Sequence, residues 1–467
     1  MSFSTAPIKA VADLNPETLG EDTPADAEYS YAEISDVAYG LPIQWQEPRP
    51  FEQLPSRARR LARDGDIVVS TVRTYLRAVA RVEDSPDNAV ASTGFAVLRP
   101  KAVESRYLGY ALLSADFVEA VVAQSVGVSY PAINASDVAR IHMPLPTPTE
   151  QRQIADYLDH ETAEIDAFIA DLTIGRAITT ERFTAMRAAV MSEIDGATPQ
   201  LRRFVEYVTS GSRGWSDLLG EEGDPFIRIT NIARDSLAIQ TSDLKRVNGV
   251  ERTEGARARI EIGDVLMSIT ADLGSVGVAG TDVAGGYTSQ HVALIRPSRA
   301  LCEPRFLAHA LLTPSTKAQI AEKSYGGTKI QLSLADVREL RVPLPSIEVQ
   351  KRVAAEVDSA QESRDRQIAD IDAAIALAKE RRAALITAAV TGQIDVSGFG
   401  TRATRATQPA GVSATRATQP PGISGARATQ PAGVSAARAI QPAGVSAVRA
   451  TQPPGSDSIQ TAIDESR

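Results

Sequence analysis

Arg73-Thr74-Tyr75-Leu76-Arg77 places two guanidiniums, a hydroxyl and a phenol within five residues, and Val128-Ser129-Tyr130-Pro131 adds a second short polar and aromatic run. Basic, polar and aromatic residues on short loops suit gripping phosphates and reading base edges. Later in the chain, Ser210-Gly211-Ser212-Arg213-Gly214-Trp215 joins glycines that permit close backbone approach to one cation and one large aromatic. Arg213 is placed to reach a phosphate or a guanine edge, and Trp215 to anchor the loop in the core. Thr288-Ser289-Gln290-His291 offers Gln290 for an adenine edge, and Gly327-Thr328-Lys329-Ile330 offers one more cation. The candidates for nucleic-acid contact are Arg73, Thr74, Tyr75, Arg77, Ser129, Tyr130, Ser210, Arg213, Gln290 and Lys329. Solvated turns have the same composition, so each candidate stands against that plainer account.

No catalytic constellation accompanies these loops. His160-Glu161 has no second histidine at helical spacing, which removes the metalloprotease pattern, and no glycine-rich loop is followed by Lys-Ser or Lys-Thr. Asp224-Pro225-Phe226 is similar to the acidic-proline-aromatic motif of amino-methyltransferases but lacks the second proline, and it reads as a turn. The single cysteine, Cys302, forms no internal disulfide, and with four scattered histidines gives no metal-ligand spacing. Cys302 reads as a small buried residue, and Asp156, Asp159 and Asp166 as exposed helix faces.

The elements that must position the loops come in two copies. EQRQIADYLD from Glu150 is answered by VQKRVAAEVD from Val349, each after a Pro-Leu-Pro stop at Pro144 and Pro343, a register of 199 residues. Thr147-Pro148-Thr149-Glu150 supplies a cap hydroxyl, a proline at the first helical position and a carboxylate at the third. Apolar residues then recur three or four apart, at Ile154, Leu158, Ile165, Phe168 and Leu172, and at Val353, Val357, Ile368, Ile371, Ile375 and Leu385. A helix from Glu150 to Ile194 is roughly 68 Å long at about 1.5 Å per residue, and each copy is the natural partner of the other. Thr173-Ile174-Gly175 is its weakest turn.

Upstream, GDIVVS at Gly65 pairs with GDVLMS at Gly263, FAVLRP at Phe95 with VALIRP at Val292, and EISDV at Glu33 with RITNI at Arg228. A register that drifts by a few residues over such a distance is internal duplication. Gly-Asp before an apolar run is a turn entering a buried strand, and Arg-Pro closes a strand because proline cannot pair. The fold class is α+β: a first domain over 1–146, a long helix over 147–197, a similar domain over 198–345 and a second long helix over 346–397. The two helices are expected to pair as an antiparallel coiled coil. Between the copies the scaffold is kept while the loops differ, Arg73-Thr74-Tyr75-Leu76-Arg77 standing against Ala271-Asp272-Leu273-Gly274-Ser275.

Residues 398–467 are of another kind. Gln-Pro recurs every 11 residues from Gln408 to Gln452, with Arg405, Arg416, Arg427, Arg438 and Arg449 in step. A proline in every repeat excludes continuous helix, and the small polar composition predicts disorder. The spaced arginines suit weak contact with DNA, or the repeat is an inert expansion. Residues 401–467 hold seven arginines against three acids, so the rest of the chain is more acidic than the total charge of -9 suggests. A binder of polyanions must then concentrate its cations locally or borrow charge from another subunit. There is no apolar run of membrane-spanning length and no charged-then-apolar leader at the start, which predicts a cytoplasmic protein.

The order of domain, helix, domain, helix, with STVRTYLRA, GFAVLRP, SVGVSYPAIN and the closing KERRAALITAAVTGQID from Lys379, resembles the specificity subunit of Type I restriction-modification systems over about residues 5–397. The resemblance implies two target-recognition domains, each reading one half of a split site in double-stranded DNA. It implies helices that act as a spacer on which methyltransferase (modification) subunits dock, here through the helices carrying Ile154, Leu158, Ile165, Leu172, Val353, Val357, Ile368 and Ile371. The resemblance leaves open whether restriction (nuclease and translocase) subunits join the same complex. It further implies a chain that does no chemistry itself but directs adenine methylation and restriction by partner subunits, to which S-adenosylmethionine, ATP and Mg belong. A scaffold whose duplicated domains bind only proteins is the alternative, favoured by the net acidity and opposed by loop variation on a retained frame.

Overall fold

The computed structural model describes residues 3–234, 236–248, 255, 258–324, 331–397 and 399. The first half carries a four-stranded antiparallel sheet in the order Ala12–Leu14, Phe95–Pro100, Ile67–Ser70, Val79–Arg81. A second sheet follows the order Arg49–Pro50, Glu28–Ala32, Ala89–Ser92, Ala58–Leu61, in which Glu28–Ala32 and Ala89–Ser92 run parallel. The second half repeats the plan. Val205–Ser210, Val292–Pro297, Val265–Ser268 and Val276–Val278 form one sheet, and Leu219–Gly220, Lys245–Val247, Asp224–Ile227 and Tyr287–Thr288 the other. Its parallel pair is again the counterpart, Asp224–Ile227 with Tyr287–Thr288.

The apolar runs after Gly-Asp are continuous because both faces of these strands are covered. Successive side chains point to opposite faces. Ile67 and Val69 enter a core shared with helices, whereas Val68 enters a second core beneath Val37 and Phe95. Val265 and Met267 against Leu266 repeat the division. The turn aspartate is itself buried: Asp66 receives both arms of Arg99 at 2.9 Å, and Asp264 those of Arg296 at 2.9 and 2.7 Å. The Arg of each Arg-Pro strand end is therefore the fork partner of the Asp in each Gly-Asp turn, a pairing the two motifs do not reveal separately.

Eight helices of the described residues concern the site: α1 (Ser105–Leu112), α2 (Ala115–Ala123), α3 (Ala135–Val138), α4 (Pro148–Ser192), α5 (Pro304–Leu311), α6 (Pro314–Lys323), α7 (Leu334–Glu339) and α8 (Ile347–Val390). The α4 start is the expected one, Thr147 capping Glu150 N while Glu150 returns a bond to Thr147 N at 2.8 Å. Each long helix is tied to its preceding domain by one glutamine. Gln151 accepts from Glu104 N and donates to the Pro146 carbonyl, and Gln350 does the same with Glu303 N and the Pro345 carbonyl. These are buried amides with their bonds satisfied.

The long helices contact each other with numbers rising in one as they fall in the other: Asp166 meets Arg382 at 3.0 Å and Arg176 meets Asp372 at 2.9 Å. The start of α4 and the end of α8 share the first core, through Ile154, Leu158, Ile386 and Val390. The end of α4 and the start of α8 share the second, through Phe183, Met191, Val353 and Val357. Among the described residues no helix is long and apolar enough to cross a membrane.

Two expectations are corrected, those for Asp224-Pro225-Phe226 and for the α4 aspartates. Asp224-Pro225-Phe226 is strand, not turn, because Phe226 is buried against Trp215 and Tyr287 beside its parallel neighbour. Thr173-Ile174-Gly175, the weakest turn of the sequence reading, lies within the continuous helix α4. Asp156, Asp159 and Asp166 are not idle exposed faces: the first two receive Arg106 at 2.9 and 2.6 Å, and the third pairs with Arg382. The expected disorder of 398–467 falls outside the described residues, apart from Phe399, whose ring meets those of Tyr157 and His160 at 5.2 and 5.4 Å.

Candidate nucleic-acid interface

The two loops nominated in the first half become one surface. Val126 and Ala132 exchange backbone bonds at 2.8 and 3.0 Å, Arg73 N donates to the Pro131 carbonyl at 2.8 Å, and Ile133 N to Thr71 at 2.9 Å. Thr74 is buried, and its hydroxyl donates to Ser125 Oγ at 2.8 Å, so it ties the loops together from beneath instead of facing outward. Arg73 and Arg77 both adopt left-handed backbone, φ 51° and 53°, bracketing a single tight turn that pushes Tyr75 and Leu76 into solvent. Such geometry is uncommon outside glycine, and two occurrences around one turn mark a constrained loop.

Tyr130 is 68% exposed, and its ring lies 5.3 Å beneath the Arg73 guanidinium, close enough to orient it. Ser129 is exposed beside it. Among the described residues neither Arg73 nor Arg77 is in an ion pair, whereas Arg63, Arg81, Arg99, Arg106 and Arg140 of the same half all are. Cations left without carboxylates on a chain of net charge -9 are the local positive charge that a polyanion requires. Sequence reasoning missed Val126, which is 80% exposed, fully exposed Val128, and Ser125, which receives Thr74. It also missed exposed Arg57, whose carbonyl receives Thr93 N at 2.8 Å and so brings the other sheet to the edge of this surface.

The second half repeats the wiring with different side chains. Leu332 N donates to Ile269 as Ile133 N does to Thr71, and Ala271 takes the left-handed position of Arg73 with φ 57°. Asp272 then replaces Thr74, accepting from Ser275 Oγ and pairing with Arg234 at 3.1 Å. Gln290 Nε2 lies 3.0 Å from His291 Nε2, and His291 Nδ1 lies 3.0 Å from Thr270 Oγ1. An amide can only donate there, so His291 Nε2 accepts and its Nδ1–H donates to Thr270. Thr270, Gln290, His291 and, through its bridge to Thr270, Gln331 thus form one polar edge. Sequence reasoning named only Gln290 of these four, and the offset from Thr93 would have drawn attention to His291.

Ser210 is half-buried at the end of its strand, opposite Ala293. Gly211 lies so close to the next strand that a Cβ would sit 1.7 Å from the Thr288 carbonyl oxygen. Arg213 opens the short helical turn Arg213–Leu218, in which Trp215 is buried with its ring 5.3 Å from Tyr287. Trp215 is therefore the loop's anchor. Lys329 lies outside the described residues. Burial pushes the Cys302 thiol up to about 12 and leaves it a packed side chain.

Of the apolar helix residues, Ile154, Leu158, Ile165, Val353 and Val357 are buried in the chain's own cores, and Leu172, Ile368 and Ile371 are half-buried. The helices expose Phe168, Ile174, Ile178 and Leu377 instead. At the junction of the second domain with α8, Asp358 receives Arg305 and His309 Nε2–H, the latter at 2.7 Å. Burial lowers the pKa of His309, which is therefore neutral; burial raises that of Asp358, but the bonds from His309 and Arg305 outweigh it and hold the carboxyl at about 2. Tyr110 and Asp159 occupy the matching places in the first half, joined at 2.8 Å.

Residues 59–170 and 216–368 match the family described as the Type I restriction modification DNA specificity domain. The chain is 22% identical to the Type I restriction enzyme EcoBI specificity subunit of Escherichia coli, over 52% of this chain and 56% of that subunit. It is 24% identical to the Type I restriction enzyme HindI specificity subunit of Haemophilus influenzae, over 65% of this chain and 83% of that one. The chain thus spans just over half the length of the first of these relatives. Its fold is similar, with a TM-score of 0.63 at 22% identity over 84% of this chain and 98% of the other, to a solved chain from work on complex assembly and conformational transition of the type I R-M system.

Proposed function

The chain belongs to the Type I restriction modification DNA specificity domain family, and from that premise we propose that it reads a bipartite sequence in double-stranded DNA for a Type I restriction-modification complex. The observation that carries the reading is a pair of loops that share the bond from Ile133 to Thr71 and from Leu332 to Ile269 and the left-handed residue at Arg73 and Ala271 but differ in side chains, one with Arg73 and Arg77, in no ion pair among the described residues, the other with Thr270, Gln290 and His291. A retained frame with exchanged tips is what two independent readers of different half-sites require, since phosphate contacts position and base contacts specify. Arg73, Arg77, Ser129, Tyr130 and Tyr75 are assigned to the first half-site, and Ser210, Arg213, Gln290 and Lys329 to the second. Thr74 acts beneath the surface.

On this reading 1–146 and 198–345 are the target-recognition domains, and 147–197 and 346–397 the spacer, its helices pairing as an antiparallel coiled coil. Modification subunits dock along that spacer, where Phe168, Ile174, Ile178 and Leu377 stay exposed within the chain itself. The assembly works in the cytoplasm, with or without restriction subunits. Methyl transfer, nucleotide hydrolysis and cleavage, with S-adenosylmethionine, ATP and Mg, are assigned to these partners, and this chain is non-catalytic. Partner subunits also supply the positive charge that an acidic chain lacks. Residues 398–467 form a low-complexity tail outside the reading machinery.

The test is methylated-motif sequencing of host DNA with and without this gene. Loss of one bipartite adenine-methylated motif is expected. An unchanged methylome, with the partner subunits expressed, would refute the assignment and favour a protein-binding scaffold.

A further inference from the structure

Tyr75, Leu76, Val126, Val128 and Tyr130 crowd the joined loops of the first half, every one of them exposed. Single exposed apolar residues are ordinary, but five on one platform are a patch that has a partner. The platform is rigid: the Thr74–Ser125 bond, the exchange between Val126 and Ala132, and the left-handed residues on either side of Tyr75 and Leu76 fix it before anything binds. Arg73 and Arg77, without ion pairs among the described residues, flank the patch, so its partner carries negative charge as well as apolar groups. Among base edges in the major groove only thymine presents an apolar group, its C5-methyl.

Resting on the DNA-reading assignment above, we propose that the half-site read by the first domain contains thymines recognised through their methyl groups by Leu76, Val126 and Val128, with Arg73 and Arg77 on the flanking phosphates. The second domain lacks the device in its matching turn. Leu273 packs partly buried against its own core, Gly274 and Ser275 stand where Leu76 and Arg77 stand in the first, and the edge is built from Thr270, Gln290 and His291. Among the described residues, the turn of the second domain that matches Arg73 to Arg77 therefore offers no such apolar contact.

The full chain, assembled with its modification subunits, is titrated against duplexes carrying its methylated motif, with each thymine of one half-site replaced by deoxyuridine. The half-site of the first domain is identified as the one unchanged when Leu201 to Arg341 is exchanged for the segment of a relative. Uracil there is expected to weaken binding about fourfold for each contacted thymine, the worth of one buried methyl. The Leu76→Ser, Val126→Ser, Val128→Ser triple variant, its fold checked by circular dichroism, should bind thymine and uracil duplexes alike. A first half-site without A·T pairs, or one bound equally with thymine and uracil, would overturn the proposal alone and give the patch to a protein partner. Binding without preference for any motif would overturn it together with the DNA-reading assignment.

Discussion

Lengthening the spacer is the perturbation that most directly probes how the chain measures DNA. Asp166–Arg382 and Arg176–Asp372 fix the register of α4 on α8, so an insertion in one helix alone drags one of these pairs out of reach. Four helix-forming residues are therefore inserted after Gly175 in α4 and four after Asp372 in α8, which sets the inserts opposite one another and keeps both ion pairs. Gly175 has open space where a Cβ would stand, so the site tolerates the change. The added rise is about 6 Å at about 1.5 Å per residue. One base pair advances the duplex about 3.4 Å and turns it roughly 35°, so the rise alone corresponds to nearly two base pairs. Four residues also turn a helix about 40° beyond a full circle, which matches the rotation of one base pair. The unread spacer between half-sites should grow by one or two base pairs while both half-sites stay the same. Methylated-motif sequencing in cells carrying the double insertion and its modification subunit reads the result, after assembly is checked by co-purification. Unchanged spacing in an assembled, active variant would refute the ruler, and an insertion in α4 alone should cost assembly.

Arg73→Ala and Arg77→Ala should each weaken binding to all sequences and reduce the slope of log affinity against log salt by about one, with the melting temperature unchanged because neither is ion-paired among the described residues; an unchanged salt slope would remove that residue from the interface. His309 has a folded pKa below its ordinary value, so it contributes stability that is complete above about pH 6.5 and is lost as pH falls through the lowered value. Asp358, held at about 2, acts in the same direction at lower pH, its contribution complete above about 3.9 and lost towards 2. Melting curves from pH 7 to 5 should therefore fall less steeply for His309→Gln, which can still donate to Asp358, and equal slopes would place the acid sensitivity elsewhere. Gly211→Ala must displace the Thr288 carbonyl and should cost about 3 kcal/mol, the upper end for overpacking, by denaturant unfolding of the second domain, whereas Gly175→Ala should stabilise by up to about 1 kcal/mol.

The reach of the sequence follows from how local each cause is. Thr147, Pro148 and Glu150 announce the start of α4 because a cap involves only neighbours, and the 199-residue register announces duplication because it needs no geometry at all. Gly-Asp and Arg-Pro marked the right strands for the same reason. Side-chain roles that depend on distant partners were not legible. Thr74 looked like a contact residue from its composition, but Ser125, 51 residues on, decides that it faces inward. Asp159 looked like an exposed acid until Arg106 and Tyr110 converged on it from α1. Asp224-Pro225-Phe226 looked like a turn because its buried neighbours, Trp215 and Tyr287, lie on segments far apart in the chain. The repeated architecture, the family resemblance and the loops that differ between copies can all be read along the chain. Which members of those loops share a surface emerges on folding, because cross-loop bonds and the burial of Thr74 arise from pairs of segments that the chain order keeps separate.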